Sequence, residues 1–455
     1  MSEREETIKK FKELWRYGHP SFYDLVIKMC EIHEVKNKSY GIGNPLGNFM
    51  ECERFDIPAW KGCLVRMCFD EETEILTSKG WKLFSDLKRN EKVASLVGDN
   101  LEWVNPLGIY SYDYIGRMYH LVTKSIDLKV TPEHRHLVKT RHSSWKFLQP
   151  EELKEKRSFR IRIGCHWKGK EPIFAFEKEP VLSNNFRYRS FQIKDKKAFM
   201  FFLGFWVAEG CTRSNTVVRL TQTNSDGRQK ILGTLASLGI NPNLSGKEIY
   251  FSNKSLVRFL KEFGIGARNK RIPKIIKESP TPLLKEFLSG YLLGDGWKGN
   301  TWCASTTSKR LADDLMEIGI KCHFAPKISR REGQIIKFPN QRQYQGKETY
   351  NLTFSTLLEP EIQKRRNPYE EWESYNGKVY CCSVQSGIIL ARRNGKPYWS
   401  GNSDKITRLY NLTAKLDNPE YKDAMQMESL EDTLMDLSCY SLLCLILLKE
   451  RKKNV

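Results

Sequence analysis

FFLGFWVAEG (Phe201–Gly210) returns further along the chain as FLSGYLLGDG (Phe287–Gly296). Gly204, Ala208 and Gly210 of the first phrase correspond to Gly290, Gly294 and Gly296 of the second, and Glu209 corresponds to Asp295. Small residues four apart lie on one face of a helix. Two helices with such faces can approach at very short range, as small-xxx-small faces do elsewhere. Packed in this way, each delivers one carboxylate, Glu209 or Asp295, to a shared dyad. Adjacent carboxylates repel, and oxygen ligands of this kind suit Mg2+. A metal there could activate water and stabilise a phosphodiester in transit. The echo continues in LASLGI (Leu235–Ile240) and LMEIGI (Leu315–Ile320), so a pseudo-twofold pair of similar units is expected.

These phrases resemble the LAGLIDADG homing endonucleases in their single-chain form with two motifs, over about residues 195–345. The resemblance implies acidic metal ligands at Glu209 and Asp295, a Mg2+ cofactor and double-stranded DNA as partner. It also nominates Lys270, from ARNKRIPK, as a catalytic lysine. The basic runs RNKRIPKIIK (Arg268–Lys277) and KISRREGQIIK (Lys327–Lys337) are expected to face phosphates. A formal net charge of +21 over 455 residues agrees with a DNA-binding surface and is more than an enzyme of small metabolites needs.

Outward from this unit the character changes on both sides. Upstream, TEILTSKGWKLFSDL, KVASLV, RMYHLVTKSIDLKVTPEHRHLV and RSFRIRIG read as short strands with turns between them. Downstream, from about Glu348, YNLTFS, KVYCCSVQ and IILARRNGKPYWS read as strands again. Beyond both, residues 1–67 and 403–455 read as helical, with a helix from about Pro20 to Val35 and a longer pattern in SLEDTLMDLSCYSLLCLILLKERKK. Helical, β, mixed, β, helical is a nested order. It predicts a multidomain chain in which 191–345 is inserted into a β domain built from 68–190 and 346–402. That domain in turn interrupts a small all-α domain built from 1–67 and 403–455.

The β region opens at Cys68 and ends at Gly401-Asn402-Ser403, with Thr131-x-x-His134 between them. Together these motifs resemble the all-β splicing (Hint) domain of inteins. The resemblance implies that Cys68 attacks the Met67 carbonyl to form a thioester, with Thr131 and His134 polarising that carbonyl and protonating the departing amine. Sulfur suits the first attack because part of a thiol is already thiolate at neutral pH. Ser403 then takes the upstream segment, and Asn402 cyclises to release 68–402. The flanks, GCLVRM and SDKITRLYNL, can then belong to one helical protein. The chain departs from the family at three places, one being that QSGIILARR supplies no histidine after the downstream strand motif. Gly401 stands where a histidine usually precedes the asparagine, and Cys381 stands where an aspartate is usual. Cyclisation is then left to another group, with His136 and His120 as candidates and Cys381 in the aspartate's place.

In the flanks, Glu31 and Glu34 lie in CEIHEVKNKSYG, and Glu431 and Asp436 in ESLEDTLMD. These resemble the all-α nucleotide pyrophosphohydrolases related to MazG. The resemblance implies Mg2+ held by Glu31, Glu34, Glu431 and Asp436, a nucleoside triphosphate substrate and a homo-oligomer. Twelve scattered cysteines, with no apolar leader, fit reduced thiols in a cytoplasmic protein. The apolar run LSCYSLLCLILL is too short to span a bilayer. Two other readings remain open: a DNA-binding protein or nuclease with an inactive splicing scaffold, and a metabolic enzyme carrying a degenerate insert.

Overall fold

The computed structural model describes residues 68–401 apart from 142, 177–178, 181–187, 190–191, 213, 334 and 338–342. The chain divides into two units, Met67–Thr407 and a second formed by Met1–Arg66 with Arg408–Val455. The second unit lies outside the described residues, and with it Glu31, Glu34, Glu431 and Asp436. Asn402 and Ser403 lie outside them too. Among the described residues no helix is long and apolar enough to cross a membrane.

The architecture is mixed α/β, a helical cluster joined to several antiparallel sheets. Three of these sheets draw strands from both sides of the cluster. One combines Glu74–Thr77, Gly80–Leu83, Val93–Val97 and Asn100–Val104 with Ile388–Arg393 and Lys396–Gly401. A second pairs Gly108–Val122 with Tyr369–Ser383 along their whole length and adds Asp127–Val130. The third joins His136–Lys139, Trp145–Leu148 and Ser158–Ile161 to Glu361–Gln363. Alternation along these strands sends one set of side chains inward. Phe69, Ile75, Phe84, Tyr119, Leu121, Val130, Phe159, Val384 and Ile389 form their common core. The upstream and downstream β segments, far apart in sequence, therefore fold as one body.

The helical cluster is a duplication. Helix Lys196–Glu209 leads into a sheet ordered Gly210–Cys211, Val217–Thr221, Glu248–Ser252, Asn243–Ser245. Helix Thr281–Asp295 leads into a sheet ordered Gly296–Lys298, Trp302–Thr306, Thr349–Ser355, Ala325–Arg331. Each sheet is interrupted after its second strand by a helix, Ser225–Ser237 in one and Lys309–Lys321 in the other. Asn224 caps the first of these by accepting from Gly227 N–H, and Ser308 caps the second by accepting from Leu311 N–H. That is the side-chain capping expected of these residue types.

Two expectations change here. YNLTFS is not a β strand of the outer domain. As Thr349–Ser355 it pairs with Trp302–Thr306 and Ala325–Arg331, completing the second sheet of the duplication past the expected limit at 345. Its alternating apolar residues Leu352 and Phe354 are buried in the core of the helical cluster. The match between LASLGI and LMEIGI is one helical turn out of register. Gly239 lies past the end of its helix with φ +71°, and Ile240 N–H donates to Leu235 O. In the second repeat His323 holds that left-handed position, φ 67°, and Phe324 N–H donates to Gly319 O. Gly239 thus corresponds to His323, and Gly319 lies within its helix where Leu235 lies in the other. A glycine normally takes such a cap because it lacks the Cβ that crowds it.

Candidate functional sites: a carboxylate dyad and a buried cysteine–histidine centre

The two motif helices touch backbone to backbone. A Cβ at Gly204 would lie 1.8 Å from Phe287 O, and one at Gly290 would lie 2.0 Å from Phe201 O. The contacts are reciprocal, as a twofold requires. Further along, a Cβ at Gly294 would meet Ala208 Cβ at 2.5 Å and Glu209 Cγ at 2.9 Å. Both helices end at the carboxylate. Gly210 and Gly296 then turn to extended backbone, where a Cβ would press on the carbonyls of Trp206 and Leu292 at 2.4 Å each. The same device on both sides sets Glu209 and Asp295 at the junction of helix and sheet.

Burial pushes the Glu209 carboxyl up, opposed by the Lys270 ammonium. Asp295 keeps one side open to water, yet the protein mass around its carboxyl raises it to about 6, against Lys270 and with a further push from Glu209. Burial lowers the Lys270 ammonium, while Asp295 and Glu209 draw it back up. Lys270 Nζ donates to Val207 O and, at 3.1 Å, to Ala208 O, two carbonyls of the last helical turn. Cations are favoured at such ends. Ser308 Oγ donates to Lys270 O at 2.6 Å. The three nominated residues, Glu209, Asp295 and Lys270, therefore form one electrostatic group. Among the described residues no cluster of three or more His, Cys, Asp or Glu side chains stands ready for a metal. The dyad offers two carboxylates, each raised, which a divalent cation would relieve. The donor chemistry fits Mg2+ with water and phosphate completing the shell.

The sheets bury Val218, Leu220, Ile249 and Phe251 against the helices and turn Arg219 and Tyr250 away. Arg219 pairs with Glu248 at 2.8 Å and lies 5.5 Å from the Tyr250 ring centre. Lys298 Nζ lies 5.8 Å from the exposed Trp302 ring. Not every basic residue of the expected runs faces outward. Lys277 is buried, held by Asp314 at 2.8 Å and Glu317 at 2.9 Å. A charge taken out of water must be paired this way, and the sequence carried no sign of it.

The second centre lies in the β core. Phe69 exchanges both backbone hydrogen bonds with Tyr380, at 2.8 and 2.9 Å, and also bridges Val130. This fixes Cys68. Its N–H donates to Thr131 Oγ1 at 3.0 Å, and Thr131 N–H donates to Cys68 O at 3.1 Å. Thr131 O accepts from His134 N–H at 3.1 Å. His134 Nε2 is 2.8 Å from Ser400 Oγ, and its ring packs edge-on against Phe69 at 4.5 Å. The strand carrying Ser400 ends at Gly401 beside the Arg135 carbonyl. Cys68, Thr131, His134 and Ser400 are all 0% exposed. The two ends of the β region thus meet on the segment Thr131–His136. A hydrogen bond with Cys381 and then burial hold the Cys68 thiol well above its ordinary range.

Of the candidate helpers, His120 is engaged by Glu373 at 2.7 Å and Asp127 at 3.2 Å. His136 is 1% exposed, beside His134 at 5.0 Å between ring centres, and burial lowers its imidazole to about 3. Ser400 escaped the sequence reading, because a lone serine before a junction carries no pattern.

Residues 196–264 match the family described as LAGLIDADG-like domain. Curated relatives include an ATP-dependent Clp protease proteolytic subunit of Chlamydomonas moewusii, 27% identical over 57% of this chain and 28% of its own. A DNA-directed RNA polymerase subunit beta C-terminal section of Stigeoclonium helveticum is 24% identical over 74% of this chain and 36% of its own. A ribonucleoside-diphosphate reductase subunit beta of Aquifex aeolicus is 24% identical over 78% of this chain and 53% of its own. The chain spans roughly a third or less of the first two of these relatives. Among solved structures, I-DmoI in complex with DNA and Ca aligns at 13% identity, TM-score 0.25, over 35% of this chain and 83% of its own. The AceL NrdHF class 3 split intein, in a splice-inactive variant, aligns at 8% identity, TM-score 0.25, over 74% of this chain and 99% of its own. The family match thus places a LAGLIDADG-like domain at residues 196–264, a stretch that opens on the helix ending at Glu209.

Proposed function

We propose that this chain is a splicing precursor that excises residues 68–402, joins Met67 to Ser403, and carries a site-specific DNA endonuclease within the excised part. The observation that carries it is the meeting of Cys68 and the Ser400–Gly401 strand end on Thr131 and His134. The division of the chain at Arg66/Met67 and Thr407/Arg408 falls close to both proposed junctions. The relatives support it too: a protease subunit, a polymerase section and a reductase subunit share no activity, and each is matched over part of its length. A passenger segment accounts for that pattern.

In this reading the Cys68 sulfur attacks the Met67 carbonyl carbon. A carbon–sulfur bond forms, the Met67–Cys68 peptide bond breaks, and the thiol proton ends on the freed Cys68 amine. Thr131 Oγ1 already accepts from that nitrogen and is placed to relay the proton. Ser403 then displaces the thiol at the Met67 carbonyl. Its hydroxyl is a weak nucleophile, so positioning must supply much of the rate, up to roughly 7–11 kcal/mol for well-oriented groups. Asn402 closes on its own carbonyl, and the ester left behind shifts to an amide.

For the endonuclease, Glu209 and Asp295 would hold Mg2+, which supplies charge neutralisation and an activated water when bound. Lys270, within electrostatic reach of both, would steady negative charge on the phosphate. Outward Arg219, Tyr250, Lys298 and Trp302 supply cations and ring faces for double-stranded DNA. In the spliced flanks, Glu31, Glu34, Glu431 and Asp436 would bind Mg2+ for nucleoside triphosphate hydrolysis in a homo-oligomer, which a nucleotide-hydrolysis assay on the ligated product tests.

Mass spectrometry of the freshly expressed chain tests the main proposal. Splicing yields two products at the masses of 68–402 and of the joined flanks, and Cys68→Ala with Asn402→Ala leaves one intact chain. An intact wild-type chain that still cuts DNA would favour the second reading, an endonuclease on an inactive β scaffold.

A further inference from the structure

We infer that His136 supplies the imidazole for the cyclisation of Asn402, the task that glycine at position 401 leaves open. The inference rests on the splicing reading above.

The packing at Gly401 forbids a side chain there. A Cβ would lie 2.6 Å from Arg135 O and 2.7 Å from Phe147 Cε1, so a histidine in that place would have to displace backbone. The imidazoles beside this strand end belong to the segment it lies against, and the first of them, His134, is already engaged by Ser400. Next along from Arg135 is His136, which pairs with Leu148 in the sheet, as Leu137 does with Phe147. His134 lies two residues before His136, at the end of the turn that precedes the strand. Their ring centres are 5.0 Å apart, and His134 Nε2 reaches Ser400, the residue before Gly401. His136 Nε2 is buried, with no hydrogen-bond partner among the described residues. A buried polar atom of this kind is costly unless something engages it. Tyr119, the other ring beside it at 6.2 Å, directs its hydroxyl to Glu370 instead.

The chemistry needs one proton moved. The Asn402 side-chain nitrogen attacks its own main-chain carbonyl carbon, forming the ring carbon–nitrogen bond. The bond to the Ser403 nitrogen breaks. The attacking amide loses a proton and the departing amine gains one, so the balance is closed without a further reagent. A neutral imidazole carries one N–H and one lone pair and can take part in either transfer. Burial keeps this ring neutral across the working pH range.

The test uses the full chain with Cys68→Ala, which leaves only downstream cleavage to follow. His136→Gln and His136→Phe should each slow cleavage between Asn402 and Ser403 by about 10²-fold. With Cys68 intact, both variants should still release the upstream segment on adding dithiothreitol at the parental rate. Parental downstream cleavage in either variant overturns the inference. So does loss of both cleavages together, which would make the ring structural. If the unsubstituted chain cleaves at neither junction, the splicing reading itself has failed.

Discussion

Cys68 and Cys381 hydrogen-bond through their side chains, one at the start of the β region and the other on the long ribbon strand Tyr369–Ser383. They flank the Phe69–Tyr380 pair, whose two backbone bonds make it the hydrogen-bonded rung of an antiparallel ladder. The antiparallel direction of that bridge sets Cys68 on the side of Cys381. This contact raises the Cys68 thiol more than burial does. Cys381→Ala should lower the pH at which dithiothreitol-driven upstream release sets in, with a severalfold gain in rate at pH near 7. A lower rate at every pH would instead make Cys381 the proton carrier.

Two thiols in hydrogen-bonding contact are also within reach of a disulfide. Glutathione disulfide should oxidise the two thiols to one bond, passing two electrons and two protons to two glutathione molecules. Splicing should stop and resume on reduction. Peptide mapping of the oxidised chain should find Cys68 joined to Cys381. A different partner for Cys68 would refute the geometry.

Gly204→Ala or Gly290→Ala puts a methyl within 2.0 Å of a main-chain oxygen. The helices must part, at a cost of about 1–3 kcal/mol or more. Thermal unfolding of the splicing-blocked Cys68→Ala chain measures it, and an unchanged midpoint would contradict the contact.

At the dyad, Asp295→Asn or Glu209→Gln should reduce Mg2+-dependent cleavage of target DNA by about 10²-fold or more. The pH profile should fall as the medium drops below about 6, where the Asp295 carboxyl takes up its proton. Plasmid cleavage with and without Mg2+ reads both effects.

His136 links stability to pH. Its folded value, about 3, lies below the ordinary 6.5, so between the two the unfolded chain binds the extra proton. Stability from this group is complete above 6.5 and is lost as pH falls toward 3, at up to about 1.4 kcal/mol per pH unit. Urea titrations should show that slope in the Cys68→Ala chain and lose it in Cys68→Ala with His136→Gln.

Much of this was legible in the residues. The repeated phrases placed Glu209 and Asp295 at equivalent helix ends, because small residues four apart can mean little else when they recur. Cys68, Thr131 and His134 were grouped by a resemblance and not by any spacing, and they lie beside one another in the fold. What sequence could not supply was register and burial. The LMEIGI phrase misled by one turn because a histidine, not a glycine, closes the second helix. Lys277 was read as a phosphate contact because nothing in a basic run marks the member that turns inward to Asp314 and Glu317. YNLTFS was assigned to the wrong sheet because a strand of alternating pattern does not name its neighbours.

Helix Lys309–Lys321 is walled in on two sides. Leu311, Ala312, Leu315 and Ile318 belong to the core of the helical cluster, while Met316 and Ile320 pack with Leu76, Trp81, Leu390 and Trp399 of the β sheets. Buried Arg392 ties Asp313 on this helix to Glu74 across the boundary, at 2.6 Å to each. An insert lodged in this way has become masonry. In the reading proposed above, Glu209 and Asp295 can decay without harm to the rest of the chain, but a clean deletion would strip a wall from the room beside it, and descendants that shed it would first have to repaint Trp81 and Trp399 for exposure to water.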